Sequence, residues 1–467
     1  MASKIHLLVT GLLVLIPTIG SRRQNSSAEQ CFCNLKGGLD DCSCDVESID
    51  SFNNGKIHPL LEELLGRNYF RYFKVNLNKD CPFWYDDSKC ALKDCAVDIC
   101  TEEVLPEGMR NGHEVKKYMT DSLQEKEECD EMMELSTVDT TLSQESKDAF
   151  VEWTEYDDSQ LSFCAMDDED ENDMQYVDLL LNPERYTGYK GESPHRIWRS
   201  IYEENCFKPV QSTRPSYSPN IVSKGSPLEG LCLEKRVFYR VISGLHSSIN
   251  IHLCARHLLP ADGHHGDVCL TRDGWGRTKW GPKLEEFRKR FSPESVGPQG
   301  TTRLKNLYFV YLLELRALVK AAPYFLNQTF YTGDRGEDDE VRQLLMEVLD
   351  VARQFPYQFD ENTMFQGDPK EARRLKEEFR QHFWNVTRIM DCVGCDKCRL
   401  WGKLQVHGLG TALKVLFSGD IIGRTDIPHN RQFHMTRREI VALVNAFGRL
   451  SKSIRALEDF KNMMTTS

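Results

Sequence analysis

After its first twenty residues the sequence lacks any long apolar run, and it carries no excess of basic residues. Its formal net charge is −12, and no basic segment is interleaved with aromatic side chains. A membrane-spanning helix needs about 20 consecutive apolar residues, and nucleic-acid binding needs a basic face. The sequence therefore predicts neither a spanning helix in the mature chain nor a nucleic-acid partner.

Two cofactor-binding motifs are missing as well. The nearest approach to a dinucleotide-binding loop begins at Gly408 and Gly410, but the third glycine is absent and no strand precedes it. A Rossmann fold is therefore not supported. No haem attachment motif is present. Any electron acceptor would have to be held between helices.

The N-terminus has the pattern of a secretory signal peptide in residues 1–20. Lys4 precedes an apolar segment at 5–16, and small residues follow near Gly20. A membrane anchor is the alternative, but the apolar run is short for a spanning helix. Glycosylation sequons that agree with this route begin at Asn25, Asn327 and Asn385. We expect a soluble protein of the secretory pathway.

Cysteine is abundant, with 17 residues in a chain of 467. In an oxidising compartment most of them should be paired, and the odd number leaves at least one thiol over. A chain of this size has ample core and does not need so many cross-links. Some cysteines are therefore expected to take part in chemistry. Near the N-terminus, two close pairs favour structural bridges in a small cap over a zinc knuckle: Cys31, Cys33, Cys42 and Cys44.

The segment 392–398 contains three cysteines with two residues between neighbours, directly before a helical pattern. This spacing is typical of thiol–disulfide redox motifs and equally of half a zinc site. A helix N-terminus stabilises a thiolate at Cys395 or Cys398. Three nearby basic residues should add to this effect, namely Lys397, Arg399 and Lys403. For zinc, His407 is the candidate fourth ligand, although the secretory route favours redox chemistry.

A second set of cysteines, Cys90, Cys95 and Cys100, recurs at an interval of five. Residues five apart do not share a helix face, so a loop suits this spacing better. In a loop, Cys95 can pair with either neighbour, as an exchanging set of disulfides requires. Ordinary structural bridging is the alternative.

The apolar pattern predicts a mostly α-helical fold with long irregular loops. Apolar residues at three-and-four spacing predict helices at 235–259, 304–322, 372–390 and 436–460. Pro260 and Pro323 should end the first two, and Thr436 with Glu439 forms a capping box for the last. The aromatic segment 69–75 predicts a short strand or buried element.

Four long motifs are more specific than these patterns. They are Cys-Val-Gly-Cys-Asp-Lys-Cys at 392–398, Asn-Pro-Glu-Arg-Tyr-Thr-Gly-Tyr-Lys-Gly at 182–191, Tyr-Glu-Glu-Asn-Cys-Phe at 202–207 and Ile-Ser-Gly-Leu-His at 242–246. Together they resemble the endoplasmic reticulum oxidoreductins, flavin-dependent thiol oxidases that regenerate protein disulfide isomerase, with the beta-type paralogue as the form indicated. The likeness covers nearly the whole mature chain in order.

The resemblance implies a lumenal protein of the endoplasmic reticulum with at most peripheral membrane association. It implies one helical domain, 21–467, around FAD. Within that domain we predict a disulfide-rich cap, a mobile shuttle loop, an acidic flexible segment and a helical flavin-binding core, at 31–80, 81–130, 131–175 and 176–467.

The resemblance also assigns the cysteines. Cys395 and Cys398 would form the inner disulfide beside the flavin, and Cys90 and Cys95 the outer shuttle pair. Pairing of Cys90 with Cys129 and of Cys95 with Cys100 would switch the shuttle off. The implied structural pairs are Cys31 with Cys44, Cys33 with Cys42, Cys81 with Cys392, and Cys206 with Cys232.

The implied cofactor residues are Arg185 and Thr187 at the flavin, Trp198 and His246 flanking the adenine, and Ser243, Arg290 and Arg303 completing the site. No metal is implied. Electrons would pass from isomerase or related thioredoxin-like thiols to the outer pair, the inner pair, FAD and then oxygen, which gives hydrogen peroxide. A zinc-binding secreted protein and a non-catalytic disulfide-stapled glycoprotein are the alternatives.

Overall fold

The structure is a computed structural model. It describes residues 46–85, 89–90, 92–110, 173–207, 231–259, 279–355, 359–419, 421–423 and 432–466. Several predictions concern residues outside these ranges: the signal peptide, the cap cysteines Cys31, Cys33, Cys42 and Cys44, the sequon at Asn25, and Cys129.

The described chain is mostly helical. Its α-helices are α1 (Val46–Phe52), α2 (His58–Leu65), α3 (Asn68–Arg71), α4 (Glu107–Arg110), α5 (Glu192–Arg199), α6 (Leu233–Ala255), α7 (Leu284–Phe291), α8 (Pro293–Val296), α9 (Gln299–Leu326), α10 (Arg335–Arg353), α11 (Pro369–Ile389), α12 (Asp396–Phe417) and α13 (Arg437–Thr466). The strands are β1 (Tyr72–Val75), β2 (Lys89–Cys90), β3 (Gln175–Asp178), β4 (Tyr189–Lys190), β5 (His257–Leu258) and β6 (Trp280–Gly281). The strands form the antiparallel pairs β1–β3, β2–β4 and β5–β6.

The four helices α6, α9, α12 and α13 pack against one another and form the centre of the molecule. Two glycines allow their backbones to approach closely. A Cβ atom on Gly244 of α6 would lie 2.4 Å from the Asn306 carbonyl oxygen of α9, and one on Gly408 of α12 would lie 2.3 Å from the Ala442 carbonyl oxygen of α13. Gly408 therefore serves helix packing, and it lies inside α12 rather than in a loop.

The predicted helices are present, but α6 and α9 do not end at the prolines predicted to stop them. α6 stops at Ala255, before Pro260, because the chain enters β5. α9 continues through Pro323 to Leu326. The burial of Tyr324 and Phe325 in the core offsets the hydrogen bond that proline cannot donate. The capping box is confirmed, because the Glu439 amide donates to Thr436 Oγ1 and the Thr436 amide donates to Glu439 Oε2.

The N-terminal part of the described chain belongs to the same core. Ile49, Ile57 and Leu64 lie in the hydrophobic cluster that contains the bundle. β1 pairs with β3 across the predicted acidic segment, so Phe73 faces Val177. None of the helices in the described ranges combines the length and the apolar character that a membrane-spanning helix requires.

Two histidines of the bundle are buried without charge. His252 of α6 donates from Nε2 to the Arg449 carbonyl oxygen, and His407 of α12 is fully buried. Burial lowers the pKa of both imidazoles well below the usual value. The charges of Arg449 near His252 and of Arg438 near His407 act in the same direction. Both histidines therefore stay neutral in the folded protein.

We predict that stability falls as the pH drops below about 6.5, the value of an unperturbed histidine. Below this pH the histidines bind protons in the unfolded chain but stay unprotonated in the folded protein. This difference lowers the free energy of unfolding by up to about 1.4 kcal/mol per pH unit for each histidine. Urea unfolding midpoints between pH 7 and pH 5 measure the slope, which His407→Gln should reduce. The exposed-site variant His195→Gln should keep the wild-type slope, and an unchanged slope in His407→Gln would contradict the prediction.

Candidate functional site

Three disulfides connect described cysteines: Cys81–Cys392, Cys90–Cys95 and Cys395–Cys398. The three equally spaced cysteines of 392–398 are therefore not equivalent. Cys392 is bonded to a cysteine 311 residues away, which ties the cluster to the N-terminal part of the chain. Cys395 and Cys398 are bonded to each other. These are the pairs that the family resemblance implied.

The disulfide Cys90–Cys95, called the outer pair below, lies against Cys395–Cys398, called the inner pair. The Sγ atoms of Cys90, Cys95 and Cys395 all lie within 4.8 Å of one another. Cys95 and Cys395 are buried, whereas Cys90 is exposed. One sulfur of the outer pair is thus open to a partner while the other faces the inner pair.

The start of α12 positions the inner pair. Cys395 is the N-cap residue, and its Sγ accepts a hydrogen bond from the Cys398 amide at 3.2 Å. Tyr189 supports the turn before it, because its hydroxyl accepts from the Gly394 amide at 3.1 Å. Since α12 has 22 residues, its N-terminus presents a full helix dipole to the two sulfurs, which favours the thiolate form of either cysteine.

The three basic residues near the cluster have different roles. Arg399 donates to backbone carbonyl groups at Val393 and Leu77. Lys403 pairs with Asp391 at 2.7 Å. The described contacts of these two side chains thus hold the backbone around the cluster, and the effect of their charges on a thiolate stays a prediction.

Lys397 is different, because it is 5% exposed and lies on the side of the outer pair. Burial lowers the pKa of its ammonium group, and the charge of Arg185 adds to this. The carboxylates of Asp94 and Asp98 act in the opposite direction. A buried cation thus lies beside the short 3₁₀ turn Lys93–Cys95 that carries the outer pair.

Thr187 contacts both disulfides. Its Oγ1 atom lies 3.4 Å from Cys395 Sγ and 3.3 Å from Cys398 Sγ. Its carbonyl oxygen lies 3.8 Å from Cys95 Sγ. The side chain is buried, so this hydroxyl is a proton donor within reach of the inner sulfurs and shielded from water.

The segment 182–190 holds the outer pair against the inner pair at three points. β4 pairs with β2, which places Tyr189 opposite Cys90. Arg185 forms an ion pair with Asp94. Asn182 accepts from the Asp98 amide at 2.8 Å and donates to the Asp98 carbonyl oxygen at 2.9 Å. We call these last two contacts, Arg185–Asp94 and Asn182–Asp98, the latch.

Two neighbouring aromatic residues fix the latch. The guanidinium of Arg185 lies over the Trp280 ring, 4.6 Å from its centroid. The indole of Trp401 donates to the Asn182 carbonyl oxygen at 2.8 Å. Sequence reasoning missed the latch because none of its contacts is local in sequence: the asparagine and arginine belong to one motif and their partners to another.

A second cluster of implied cofactor residues lies on α5 and α6. The rings of Trp198 and His246 stack with centroids 3.5 Å apart, and the Tyr202 hydroxyl lies 3.1 Å from His246 Nδ1. Burial lowers the pKa of His246 to about 3, with further lowering by the charges of Arg303 and Arg290. The imidazole is therefore neutral and has two cationic groups nearby.

The remaining implied residues adjoin this cluster. Ser243 Oγ accepts from Asn306 Nδ2 at 2.9 Å. Arg303 donates to the Arg290 carbonyl oxygen at 3.1 Å, and Arg290 pairs with Glu286 at 2.6 Å. The structure thus gathers Trp198, His246, Ser243, Arg290 and Arg303 in one region, and Arg185, Thr187 and the four redox cysteines in another.

These residues offer the types of group that a flavin dinucleotide needs: aromatic faces for its rings and cations for its phosphates. Among these residues Arg185 has a buried Nε without a hydrogen-bond partner, an atom that a polar ligand could satisfy. One feature differs from the prediction. Because Trp198 and His246 stack directly, an adenine between them would require the two rings to separate.

Two predicted cysteine pairs whose members both lie in the described ranges, Cys206–Cys232 and Cys95–Cys100, are not formed. Cys206 and Cys232 are both free thiols; Cys206 is buried in the core, whereas Cys232 caps α6 at the surface. The bridge between them is therefore not supported. Cys100 is also free, since Cys95 is already bonded to Cys90. The regulatory pairings stay predictions, because they exclude the outer pair observed here.

Two further expectations need correction. Asn385 lies inside α11, is 6% exposed and donates to Asn205 Oδ1 at 2.9 Å, so the fold has no room for a glycan there. Asn327 is exposed at the end of α9 and stays a candidate. His407 cannot join the cysteines in a zinc site, because it lies nine residues beyond Cys398 on the same helix, roughly 14 Å along its axis.

Comparison with known proteins places this arrangement in a family. A sequence model of the Endoplasmic Reticulum Oxidoreductin 1 (ERO1) family matches residues 56–457. The chain is 50% identical to ERO1-like protein alpha of Homo sapiens over 450 residues, which covers 94% of this chain and 93% of that protein. It is 46% identical to the Ero1-like protein of Drosophila melanogaster, with 94% and 92% covered.

The fold agrees with a solved structure described as "Structure of Ero1p, Source of Disulfide Bonds for Oxidative Protein Folding in the Cell". The TM-score is 0.55 at 27% identity, and the match covers 90% of this chain and 98% of that one. A cysteine-to-alanine double mutant of S. cerevisiae Ero1p gives 0.55 at 28% identity, with 90% and 98% covered. The human relative is of the alpha type, so the beta-type assignment stays a prediction.

We predict that Asp94→Asn weakens the docking of the outer pair. A partly buried ion pair contributes up to about 1 kcal/mol, so its loss should raise hydrogen exchange at the Asp98 amide about fivefold. Hydrogen exchange read by mass spectrometry on residues 92–98 measures this. Asp98→Asn is the matched control: its side chain is exposed and Asn182 binds only its backbone, so exchange should stay near the wild-type value. Equal exchange in both variants would refute the role of Asp94.

Proposed function

The chain belongs to the Endoplasmic Reticulum Oxidoreductin 1 family, and from this premise we propose that it is a flavin-dependent thiol oxidase that reoxidises protein disulfide isomerase in the lumen of the endoplasmic reticulum. The observation that carries the proposal is the contact of the outer pair with the inner pair. Two disulfides at this distance can exchange electrons without leaving the protein.

The first exchange takes place at the exposed sulfur. A thiolate of the partner attacks Cys90, the Cys90–Cys95 bond breaks, and Cys95 leaves as a thiolate. The second partner thiolate then attacks its own sulfur in this mixed disulfide and releases Cys90. The partner dithiol has become a disulfide, and the outer pair has gained two electrons and two protons.

The second exchange takes place inside the protein. The Cys95 thiolate attacks Cys395 Sγ, and Cys398 leaves as a thiolate. Cys90 then attacks Cys95, which restores the outer disulfide and leaves Cys395 and Cys398 reduced. Cys395 is the sulfur that receives the attack, because it is the inner sulfur gathered with Cys90 and Cys95.

The surroundings stabilise the charge that this exchange creates. The N-terminus of α12 and the buried ammonium of Lys397 favour a thiolate at the inner pair. The Thr187 hydroxyl, 3.3 Å from Cys398 Sγ, can donate a hydrogen bond to it. Because Cys95, Cys395 and Thr187 are buried, competing reactions with water-borne thiols are limited to Cys90.

A bound FAD supplies a two-electron acceptor that passes electrons to oxygen and yields hydrogen peroxide. The residues that would hold it are Arg185 and Thr187 beside the inner pair, Trp198 and His246 as aromatic groups, and Ser243, Arg290 and Arg303 beside them. Protein disulfide isomerase has a potential near −180 mV, so a strong acceptor is needed downstream of the cysteines.

A protein partner is supported by apolar side chains around the outer pair. Of the six large hydrophobic residues that are exposed in the described ranges, five lie close in sequence to the outer pair or the latch: Tyr85, Ile99, Val104, Leu180 and Leu181. Tyr85 is 91% exposed. Exposed apolar side chains are typical of protein interaction sites when they form one patch, so their position in these segments supports a protein partner such as a thioredoxin-like protein over a small thiol.

We predict that the purified protein carries flavin absorbance and that Cys395→Ala abolishes oxygen consumption with reduced isomerase while the flavin stays bound. Cys90→Ala should stop turnover with the isomerase but spare oxidation of small reductants that reach the inner pair. Oxygen-electrode rates with both substrates measure this. Cys232→Ala, at an exposed free thiol, is the control and should be unaffected. Colourless protein, or normal isomerase turnover in Cys90→Ala, would refute the proposal.

A further inference from the structure

The outer and inner pairs together form a cluster of soft ligands once both are reduced. The sulfurs of Cys90, Cys95 and Cys395 lie within 4.8 Å of one another even as disulfides. The fourth sulfur, Cys398, is the bonding partner of Cys395, and Thr187 Oγ1 contacts both inner sulfurs. Reduction would therefore leave three clustered thiols, with the fourth, Cys398, three residues from Cys395 in the first turn of α12.

The spacing suits a tetrahedral thiolate site. Zinc–sulfur bonds are about 2.3 Å long, so two thiolates on one tetrahedral zinc ion lie roughly 3.8 Å apart. The contacts between the outer pair and Cys395, already within 4.8 Å, need to close by at most about 1 Å, while the two sulfurs of each reduced disulfide separate by up to about 2 Å to reach the same spacing. The Cys395–Cys398 spacing of two intervening residues is common in structural zinc sites.

The charges around the cluster also suit such a site. Zinc with four thiolates carries a net charge of −2, which is costly to bury unless it is compensated. The N-terminus of α12 and the buried ammonium of Lys397 both lie at the cluster and provide positive charge. The same features that favour a thiolate intermediate therefore favour a metal thiolate.

We propose that the fully reduced protein binds one zinc ion, or a similar soft divalent cation, through Cys90, Cys95, Cys395 and Cys398. The bound ion holds the outer pair docked and slows reoxidation, because coordination to the cation withdraws charge from a thiolate and makes it a weaker nucleophile than the free thiolate. This proposal rests on the proposed function in one respect only, namely that partner dithiols reduce the two disulfides. Free zinc therefore inhibits the protein by binding to the outer and inner pairs.

Full reduction of the outer and inner pairs takes four electrons. Two partner dithiols supply the four electrons: the first reduces the outer pair, exchange passes that pair of electrons to the inner cysteines, and the second dithiol reduces the outer pair again. Zinc binding then displaces the proton of each thiol that becomes a ligand and leaves the oxidation state of sulfur unchanged. Oxidation of the cluster must release the ion first.

The test uses the full-length protein reduced anaerobically with a phosphine and freed of reductant. Co²⁺ is added as a spectroscopic probe, and bound Zn²⁺ is then counted by competition with a chromophoric chelator. The wild type should bind one equivalent more than Cys90→Ser and Cys395→Ser, and should show the intense visible absorption of tetrahedral cobalt thiolate. Counting the difference removes any ion held by other cysteines of the chain.

Cys232→Ser is the matched control and should bind as much metal as the wild type, because its thiol is exposed and lies outside the cluster. Zinc binding equal in the wild type and in both cluster variants would overturn the proposal, as would equal binding by the oxidised and reduced wild type. Since reduction here is chemical, the result is independent of oxidase activity. A reduced protein that binds the extra zinc but never oxidises isomerase would refute the proposed function alone.

Discussion

The packing of the segment 182–190 on the N-terminus of α12 is the contact on which the site depends. It places Thr187 between the two disulfides, pairs β4 with the strand that carries Cys90, and supplies Asn182 and Arg185, two of the four residues of the latch. The disulfide Cys81–Cys392 and the carbonyl contacts of Arg399 fix the other side of the cluster. The four-helix bundle provides the rigid support for both.

If the outer pair also acts as a mobile shuttle, as the family resemblance implies, the latch must be weak enough to release it. A partly buried ion pair adds up to about 1 kcal/mol, and each of the two Asn182 hydrogen bonds adds about 1 kcal/mol. A docked state favoured by a few kcal/mol opens often enough to meet a partner. The inner pair, by contrast, is set in the helix terminus and stays in place. The predicted shuttle thus requires motion of the outer pair only.

Sequence reasoning was most reliable where the signal is local. The capping box at Thr436 and the helices with regular apolar spacing are present, because propensity and burial agree there. Pro323 does not end α9, since tertiary burial of its neighbours outweighs the local rule. α10 was not predicted, although Asp334 caps it and its buried side chains recur at helical spacing. The roles of Arg399, Lys403 and Asn385 depend on distant partners, which no local pattern shows.

The central claim is that electrons pass from Cys95 to Cys395, and a trapping experiment tests it most directly. In Cys90→Ala/Cys398→Ala each pair keeps one thiol, and a mild oxidant should join these two thiols in a Cys95–Cys395 disulfide. Mass spectrometry of the linked peptides should find this disulfide as the main product. In Cys90→Ala/Cys395→Ala, a bond between Cys95 and Cys398 should form several-fold less. Equal yields in the two variants, or pairing of Cys95 with Cys100 alone, would contradict the account.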